Sequence, residues 1–240
     1  MMIRLALVGK NIHHSKSPQV YKELLGPWLH YDLLDFADSK DIPSALELLS
    51  VYQGVSITSP YKKHFLPEIQ LSETASLLGA VNCLGIKNGI VGGENTDYFA
   101  IQTILHEWIL KYGRMNIVLL GDGVMSKVSQ FVLNQIPEID YRVYSRKKTE
   151  QFDQLNLIDI FSKQFEMSAQ QLVINTCSRE YLFRGPIDKK TLFWDYNYNF
   201  NEHKLSLAPK TQEYFDGLKM LELQAQHALK FWGLPPLLFK

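Results

Sequence analysis

The sequence holds little cysteine, no excess of charge of either sign and no long apolar run. Its only cysteines, Cys83 and Cys177, stand far apart without metal-ligand spacing. They give no disulfide framework and suit a reducing cytoplasm. Lys and Arg together number 25, and so do Asp and Glu, so the formal net charge is zero. No global field then draws nucleic acid or an acidic membrane, and neither is an expected partner. No apolar run approaches the roughly 20 residues of a membrane span. Residues 1–9 carry one Arg and a very short apolar stretch, which reads as a first strand and not as a secretory leader. The spacing of His13, His14 and His64 offers no persuasive metal site, and no metal is expected.

What is present is ordinary globular material, 46% hydrophobic and 21% charged over 240 residues. That length suits one large domain or two small ones. Short apolar runs at 3–8, 31–36 and 54–57 read as strands. Residues 18–25 and 44–49 read as helices, the first with Pro18 in its first turn and Gly26 past its end. Asn88-Gly89 between apolar residues of 86–91 is a hairpin signal. A helix is expected over 96–110. Strands at 116–120, 141–144, 171–174 and 191–195 then alternate with helical stretches, one of them running to about Gln135. This is the pattern of a parallel sheet with crossover helices. A last amphipathic helix covers 217–232. The expected fold class is therefore α/β with two domains. Residues 1–96 and 213–240 form an open α/β substrate domain. Residues 97–212 form a Rossmann-like dinucleotide domain, and the C-terminal helix packs back on the first.

Gly121-Asp122-Gly123-Val124-Met125-Ser126 lies between an apolar strand and a helix, and fits G-x-G-x-x-G except for Ser126. The first Gly permits the tight turn, the second lets a pyrophosphate approach, and the third position needs a small residue. The helix N-terminus offers free N–H groups to phosphate. A plain strand-to-helix turn would also account for the motif. Asp122 must point away from any phosphate bound there, because like charges about 4 Å apart repel by a few kcal/mol at an intermediate dielectric. The next strand ends in Ser145-Arg146-Lys147-Lys148, where an NAD-binding fold usually places an acid. Three cations instead suit the 2′-phosphate of NADP, with Arg146 the best bidentate partner, although a solvated basic turn reads the same way.

Four polar segments follow strands: 14–18, 56–62, 79–82 and 94–97. Strand C-terminal ends are where open α/β sheets bind ligands. Ser, Thr, Asn, Asp and Lys together recognise a small polyhydroxylated acid, with a Lys and an Asp to handle a proton. Taken singly, each has a plainer role. Ser15 and Ser17 suit a helix cap, Asn95 and Asp97 a turn, Asn82 a loop and Lys62 a solvated surface.

Their order carries a resemblance. Gly9-Lys10-Asn11-Ile12-His13-His14-Ser15-Lys16-Ser17-Pro18 is similar to the G-x-P-I-x-H-S-x-S-P opening of shikimate dehydrogenases. Gly54 to Lys62 resembles their G-x-N-V-T-x-P-[FY]-K, Leu78 to Cys83 their I-G-A-V-N-T, and Gly93 to Asp97 their G-x-N-T-D. Asp195 to Asn199 resembles D-x-x-Y-N, and Asp216 to Ala225 resembles D-G-x-x-M-L-x-x-Q-A. The series runs in order through nearly the whole chain. The sequence departs from it at Asn11 (Pro in the motif), Lys10, Ser56 (Asn), Phe200 (Pro), and at Asp122, Val124 and Met125 where the family has G-A-G-G-A.

The resemblance implies the roles. Ser15, Ser17 and Tyr198 would hold a substrate carboxylate. Thr58, Asn82, Asp97 and Gln224 would contact ring hydroxyls. Lys62 and Asp97 would be the catalytic pair. Gly121, Gly123 and Ser126 would line the cofactor turn, with Arg146 at the 2′-phosphate of NADP. Asn175 to Ser178 would lie near the nicotinamide, and Gly217 would line that end too. The implied activity is NADPH-dependent, reversible reduction of 3-dehydroshikimate to shikimate, in a cytoplasmic monomer or homodimer. The departures keep two alternatives in view: a shikimate-binding homologue without tight cofactor binding, and a quinate dehydrogenase.

Overall fold

The computed structural model describes residues 2–234. In chain order its elements are β1 (Ile3–Gly9), α1 (Ser17–Leu25), β2 (Leu29–Asp35), α2 (Ala45–Val51), β3 (Gly54–Ile57), β4 (Gln70–Leu71), α3 (Glu73–Leu78), β5 (Cys83–Lys87), β6 (Ile90–Glu94) and α4 (Thr96–Tyr112). There follow β7 (Met115–Leu120), α5 (Val124–Leu133), β8 (Ile139–Tyr144), α6 (Leu157–Gln164), β9 (Gln170–Asn175), β10 (Leu192–Asp195), α7 (Asn201–Leu207), β11 (Glu213–Phe215) and α8 (Leu218–Phe231). Among the described residues no helix is long and apolar enough to cross a membrane.

The chain divides into two compact units. One takes in the chain up to Ala100 and again from Leu221, the other is Ile101–Met220. β11 pairs in parallel with β10, from Leu192 opposite Glu213 to Trp194 opposite Phe215, which ties 213–215 to the second unit. Residues 235–240 of the expected return to the first domain lie outside the described residues.

The first unit is built on a six-stranded sheet in the order β2-β1-β3-β5-β6-β4. β1 runs parallel to both β2 and β3, while β5 is antiparallel to β3 and to β6. The antiparallel pair β5–β6 follows from the turn at Asn88-Gly89. Both residues have positive φ, +53° and +77°, as the tight hairpin turn requires. Local signals also place the short helices. Ser44 and Glu47 form a reciprocal capping box at α2, and Ser72 caps α3. Leu5, Val20, Tyr21, Leu24, Ala225, Ala228 and Leu229 form one buried cluster. α8 thus packs its apolar stripe on this unit, and each fully buried aliphatic side chain contributes about 1.5–3 kcal/mol. Trp232 fixes the end of that helix, its Nε1 donating to the Leu84 carbonyl at 2.7 Å and its ring stacked on Tyr21.

The second unit is a five-stranded parallel sheet in the order β11-β10-β9-β7-β8. Its strands β7 and β10 are almost continuous apolar runs, as strands covered on both faces must be, and β9 holds the buried apolar residues Leu172, Val173 and Ile174. Val118, Leu120, Phe161, Val173, Phe183 and Phe193 are packed in its core. Both units are thus α/β, and the second has the Rossmann-like parallel arrangement.

Candidate functional site

In the first unit the polar segments converge at strand ends. Lys62 follows β3, in a turn that contains a cis Ser59–Pro60 bond. Its carbonyl accepts the Val81 N–H at 2.8 Å, which fixes the turn beside the segment carrying Asn82. Its Nζ stands 2.6 Å from Asp97 Oδ2, and the two side chains are only 10% and 9% exposed. A solvated surface lysine is thereby excluded. Asp97 lies in the first turn of α4, where a negative charge is favoured by the helix dipole. A buried pair of this kind holds a proton donor and its counter-charge away from water, where electrostatic interactions are strong.

The residue before Asp97 belongs to a second cluster. Asn82 Oδ1 accepts the Thr96 N–H at 2.7 Å, and Asn82 Nδ2 donates to Thr96 Oγ1 at 2.9 Å and to Gln224 Oε1 at 3.3 Å. Gln224 comes from α8, more than a hundred residues away in the chain. All three are buried. Thr96 was part of the expected motif without a role, and the structure gives it one as the hydroxyl that ties Asn82 to Gln224. Ser15 and Ser17 lie at the start of α1, with Ser15 Oγ donating to Ser17 Oγ at 3.1 Å. Ser15 Oγ also accepts the Ser17 N–H at 3.2 Å, while the N-cap position of α1 is Lys16, which makes no side-chain cap bond. Thr58 follows β3, and its N–H donates to the Val8 carbonyl at 2.9 Å.

Ser56 stands at the motif Asn position and is buried. It shares a hydrogen bond of 3.3 Å with the Tyr21 hydroxyl, so this departure is absorbed by a neighbouring side chain. Burial pushes the Tyr21 phenol well above its ordinary pKa, so it remains a neutral donor or acceptor.

In the second unit the glycine turn has the expected geometry. Gly121 takes φ +118°, and a Cβ there would collide with Thr176. Ser126 is fully buried and donates to the Gly121 carbonyl at 2.8 Å, which explains why a small hydroxyl serves at the third glycine position. Gly123 caps α5 without a side-chain bond, and no acid stands in the first turn. Replacing Gly121 with Ala combines a strained φ with a collision against the Thr176 hydroxyl. We expect it to cost at least about 1–3 kcal/mol and to lower the melting temperature by several degrees. An unchanged melting curve would refute the close approach of Gly121 to Thr176.

Asp122 is turned toward the basic segment, with Lys147 Nζ at 3.7 Å from its carboxylate. Both are exposed, so the pair contributes little stability, but it gives the carboxylate a partner on that side. Arg146, Lys147 and Lys148 are exposed after β8. Ser145 Oγ beside them is buried and has no hydrogen-bond partner. Sequence reasoning passed over that serine, and the signal was its place at the strand end. An orphaned hydroxyl, three cations and a helix N-terminus free of acids form a donor set that fits a dinucleotide phosphate.

Asn175 ends β9 and Cys177 follows it. Burial pushes the Cys177 thiol up to about 12, so it is an unreactive thiol near neutrality. Tyr198 and Gly217 also belong to the second unit. Arg179 lies over the Tyr198 ring and donates to its carbonyl. Gly217 packs so closely on the Tyr196 backbone that no side chain fits. Among the described residues there is no group of three or more His, Cys, Asp or Glu able to hold a metal.

A mixed-sheet unit bearing a buried Lys–Asp pair, joined in one chain to a parallel-sheet unit bearing a strand–glycine–helix turn, defines a two-unit α/β protein of the dinucleotide-binding class. Comparison with known proteins narrows that class. Residues 7–84 match the shikimate dehydrogenase substrate binding domain. The shikimate dehydrogenase (NADP(+)) of Methanococcus vannielii is 30% identical over 61% of this chain and 54% of its own length. That of Clostridium botulinum strain 657 is 25% identical over 97% of both. The crystal structure of the Thermus thermophilus shikimate 5-dehydrogenase with NADP(H) and shikimate superposes with a TM-score of 0.71. It covers 98% of this chain and 95% of that one at 24% identity. The chain is thus similar to shikimate dehydrogenases along nearly its whole length, with the family match itself confined to residues 7–84.

Proposed function

We propose that this protein interconverts 3-dehydroshikimate and shikimate with NADP(H) as the redox partner. The carrying observation is the buried Lys62–Asp97 pair at 2.6 Å, adjoining a preassembled Asn82–Thr96–Gln224 cluster. The names of the relatives support the substrate and the cofactor. The nicotinamide, when bound, supplies or accepts the hydride. In the reducing direction the substrate carbonyl carbon gains that hydride and its oxygen gains a proton. Lys62 Nζ donates the hydrogen bond to that oxygen, steadies its developing negative charge and delivers the proton. Asp97 holds the ammonium in place and accepts from a ring hydroxyl. Oxidation runs the same transfers backwards.

Thr58, Asn82 and Gln224 contact the remaining ring hydroxyls. Because Asn82 and Gln224 are already fixed by hydrogen bonds, little rotamer freedom is lost on binding. Ser15 and Ser17 hold the carboxylate. Gly121, Gly123 and Ser126 admit the pyrophosphate, and Ser145 with Arg146 faces the 2′-phosphate. Gly217 and the Asn175 segment line the nicotinamide end. The chemistry involves only small soluble molecules.

Quenching of protein fluorescence by NADPH tests the cofactor half, and we expect saturable binding at micromolar concentration, as for typical enzyme cofactors and substrates. No binding at millimolar NADPH would overturn the enzyme reading in favour of a ligand-binding homologue. Rates with shikimate and quinate test the substrate half. We expect shikimate to be the faster substrate, and a preference for quinate would reassign it.

A further inference from the structure

Asp35 is the last residue of β2, level with Gly9 at the end of β1. It belongs to none of the motifs that carry the family resemblance. Its two carboxylate oxygens each accept one backbone N–H, from Asn11 and from Ile12, both at 2.9 Å. Asn11 takes φ +56°. Successive N–H groups around a left-handed residue form a concave cradle for an anion. Here the chain's own carboxylate fills that cradle. His13 Nε2 adds a third contact at 3.3 Å, and Lys10 Nζ is directed elsewhere, to the Ala37 carbonyl at 2.9 Å. The two N–H bonds, that from Ile12 foremost, hold the Asp35 carboxyl below the usual carboxylate range, consistent with a clamp that stays closed near neutrality.

The clamp is connected to the serines. The Ile12 carbonyl accepts the Ser15 N–H at 2.9 Å. Ser15 Oγ in turn accepts the Ser17 N–H and donates to Ser17 Oγ. The Ile12 side chain is buried, and a Cβ on Gly9 would collide with the methyls of both Ile12 and Thr58. The turn is thus seated on one side against Thr58 and held on the other by Asp35. In the motif that this opening resembles, position 11 is Pro. Proline has no N–H and cannot adopt a positive φ, so the clamp in this form depends on Asn11.

We propose that Asp35 is a positioning residue for substrate binding, which sets the Ser15 and Ser17 hydroxyls toward an anionic carboxylate by clamping the Asn11–Ile12 backbone. This rests on the shikimate reading of the site above. The test is steady-state kinetics of the full chain with Asp35→Asn, which keeps shape but can accept only one of the two bonds. The expected result is a KM for shikimate raised about tenfold, the size of one lost positioned hydrogen bond, with kcat within about twofold and NADPH affinity unchanged. Asn11→Pro removes one N–H and forbids the left-handed φ, and we expect it to raise KM in the same way. Faster amide exchange at Ile12 in Asp35→Asn is expected to accompany the change. A wild-type KM in Asp35→Asn, with the parent chain active, overturns this inference alone. Loss of kcat and NADPH affinity along with KM would make Asp35 a general structural residue and also overturns it. An inactive parent chain overturns the functional reading itself.

Discussion

Replacing Lys62 with alanine is expected to lower turnover by about 10²–10⁴-fold, the usual contribution of a general acid or base. It is also expected to destabilise the fold. For an exposed lysine only the first effect would appear. Here the ammonium is buried 2.6 Å from Asp97, and removing it leaves a carboxylate without its counter-charge in a place water barely reaches. Breaking such a pair from one side typically costs about 3–5 kcal/mol. The two effects separate in a second variant. Lys62→Met combined with Asp97→Asn removes both charges and keeps similar volume, so stability is expected to recover while turnover does not. Thermal unfolding and steady-state rates on the same preparations check this. Near-normal turnover in Lys62→Ala would refute the proton role. An unchanged melting temperature would refute the buried pair. A double variant as unstable as the single one would show that packing, not charge, is what the lysine supplies.

That coupling shows where the sequence was informative. The ordered segments around Ser15, Lys62, Asn82 and Asp97 pointed to one site because ligand chemistry restricts residue types at each strand end. The burial of Lys62 was not legible, since no local pattern distinguishes a lysine in a covered turn from one on the surface. The hairpin at Asn88-Gly89 and the strands β7, β9 and β10 were legible because turn stereochemistry and double-sided burial leave strong local marks. β4, α3, α6, α7 and β11 were missed. They are two to eight residues long, too short for a period to show, and tertiary contacts decide them. β11 is the informative case, since only its pairing with β10 makes three residues a strand. Asp35 was invisible for another reason. Its partners are main-chain N–H groups 23 and 24 residues away, and a backbone donor has no sequence signature.

The second large effect is expected at Asp195, the residue that ends β10. Its side chain is completely buried and accepts from five donors. Oδ1 receives Asn175 Nδ2 at 3.2 Å, the Asn197 N–H at 2.9 Å and Asn197 Nδ2 at 2.8 Å. Oδ2 receives the Tyr214 hydroxyl at 3.0 Å and pairs with His203 Nδ1 at 2.6 Å. The tautomer of His203 follows from its other nitrogen. Nε2 accepts the Phe183 N–H at 3.1 Å, so the ring proton sits on Nδ1 and is donated to Asp195. Burial first, and Asp195 second, push the Tyr214 phenol far above its ordinary range, so it remains a donor at any physiological pH. One carboxylate therefore ties together the ends of β9 and β10, the strand β11 and the helix α7. Asp195→Ala removes the acceptor of all five donors, two of them from the buried side chains of Asn175 and His203, while Asn197 Nδ2 keeps the Cys177 carbonyl at 3.0 Å. At roughly 1–3 kcal/mol for each buried group left unpaired, even partial relaxation leaves a loss above about 4 kcal/mol, in the range where single changes unfold a domain. Asp195→Asn keeps the volume and one acceptor oxygen, and is expected to cost clearly less. Urea unfolding of the three proteins decides the matter. Equal destabilisation by Ala and Asn would assign the effect to the charge alone, and wild-type stability in the Ala variant would show that the hub does not hold the second unit together. The expected ordering, with NADPH binding falling in step with stability, would mean that the turn carrying Gly121 owes its shape to this buried carboxylate, because Thr176, which follows Asn175, is the residue against which Gly121 packs.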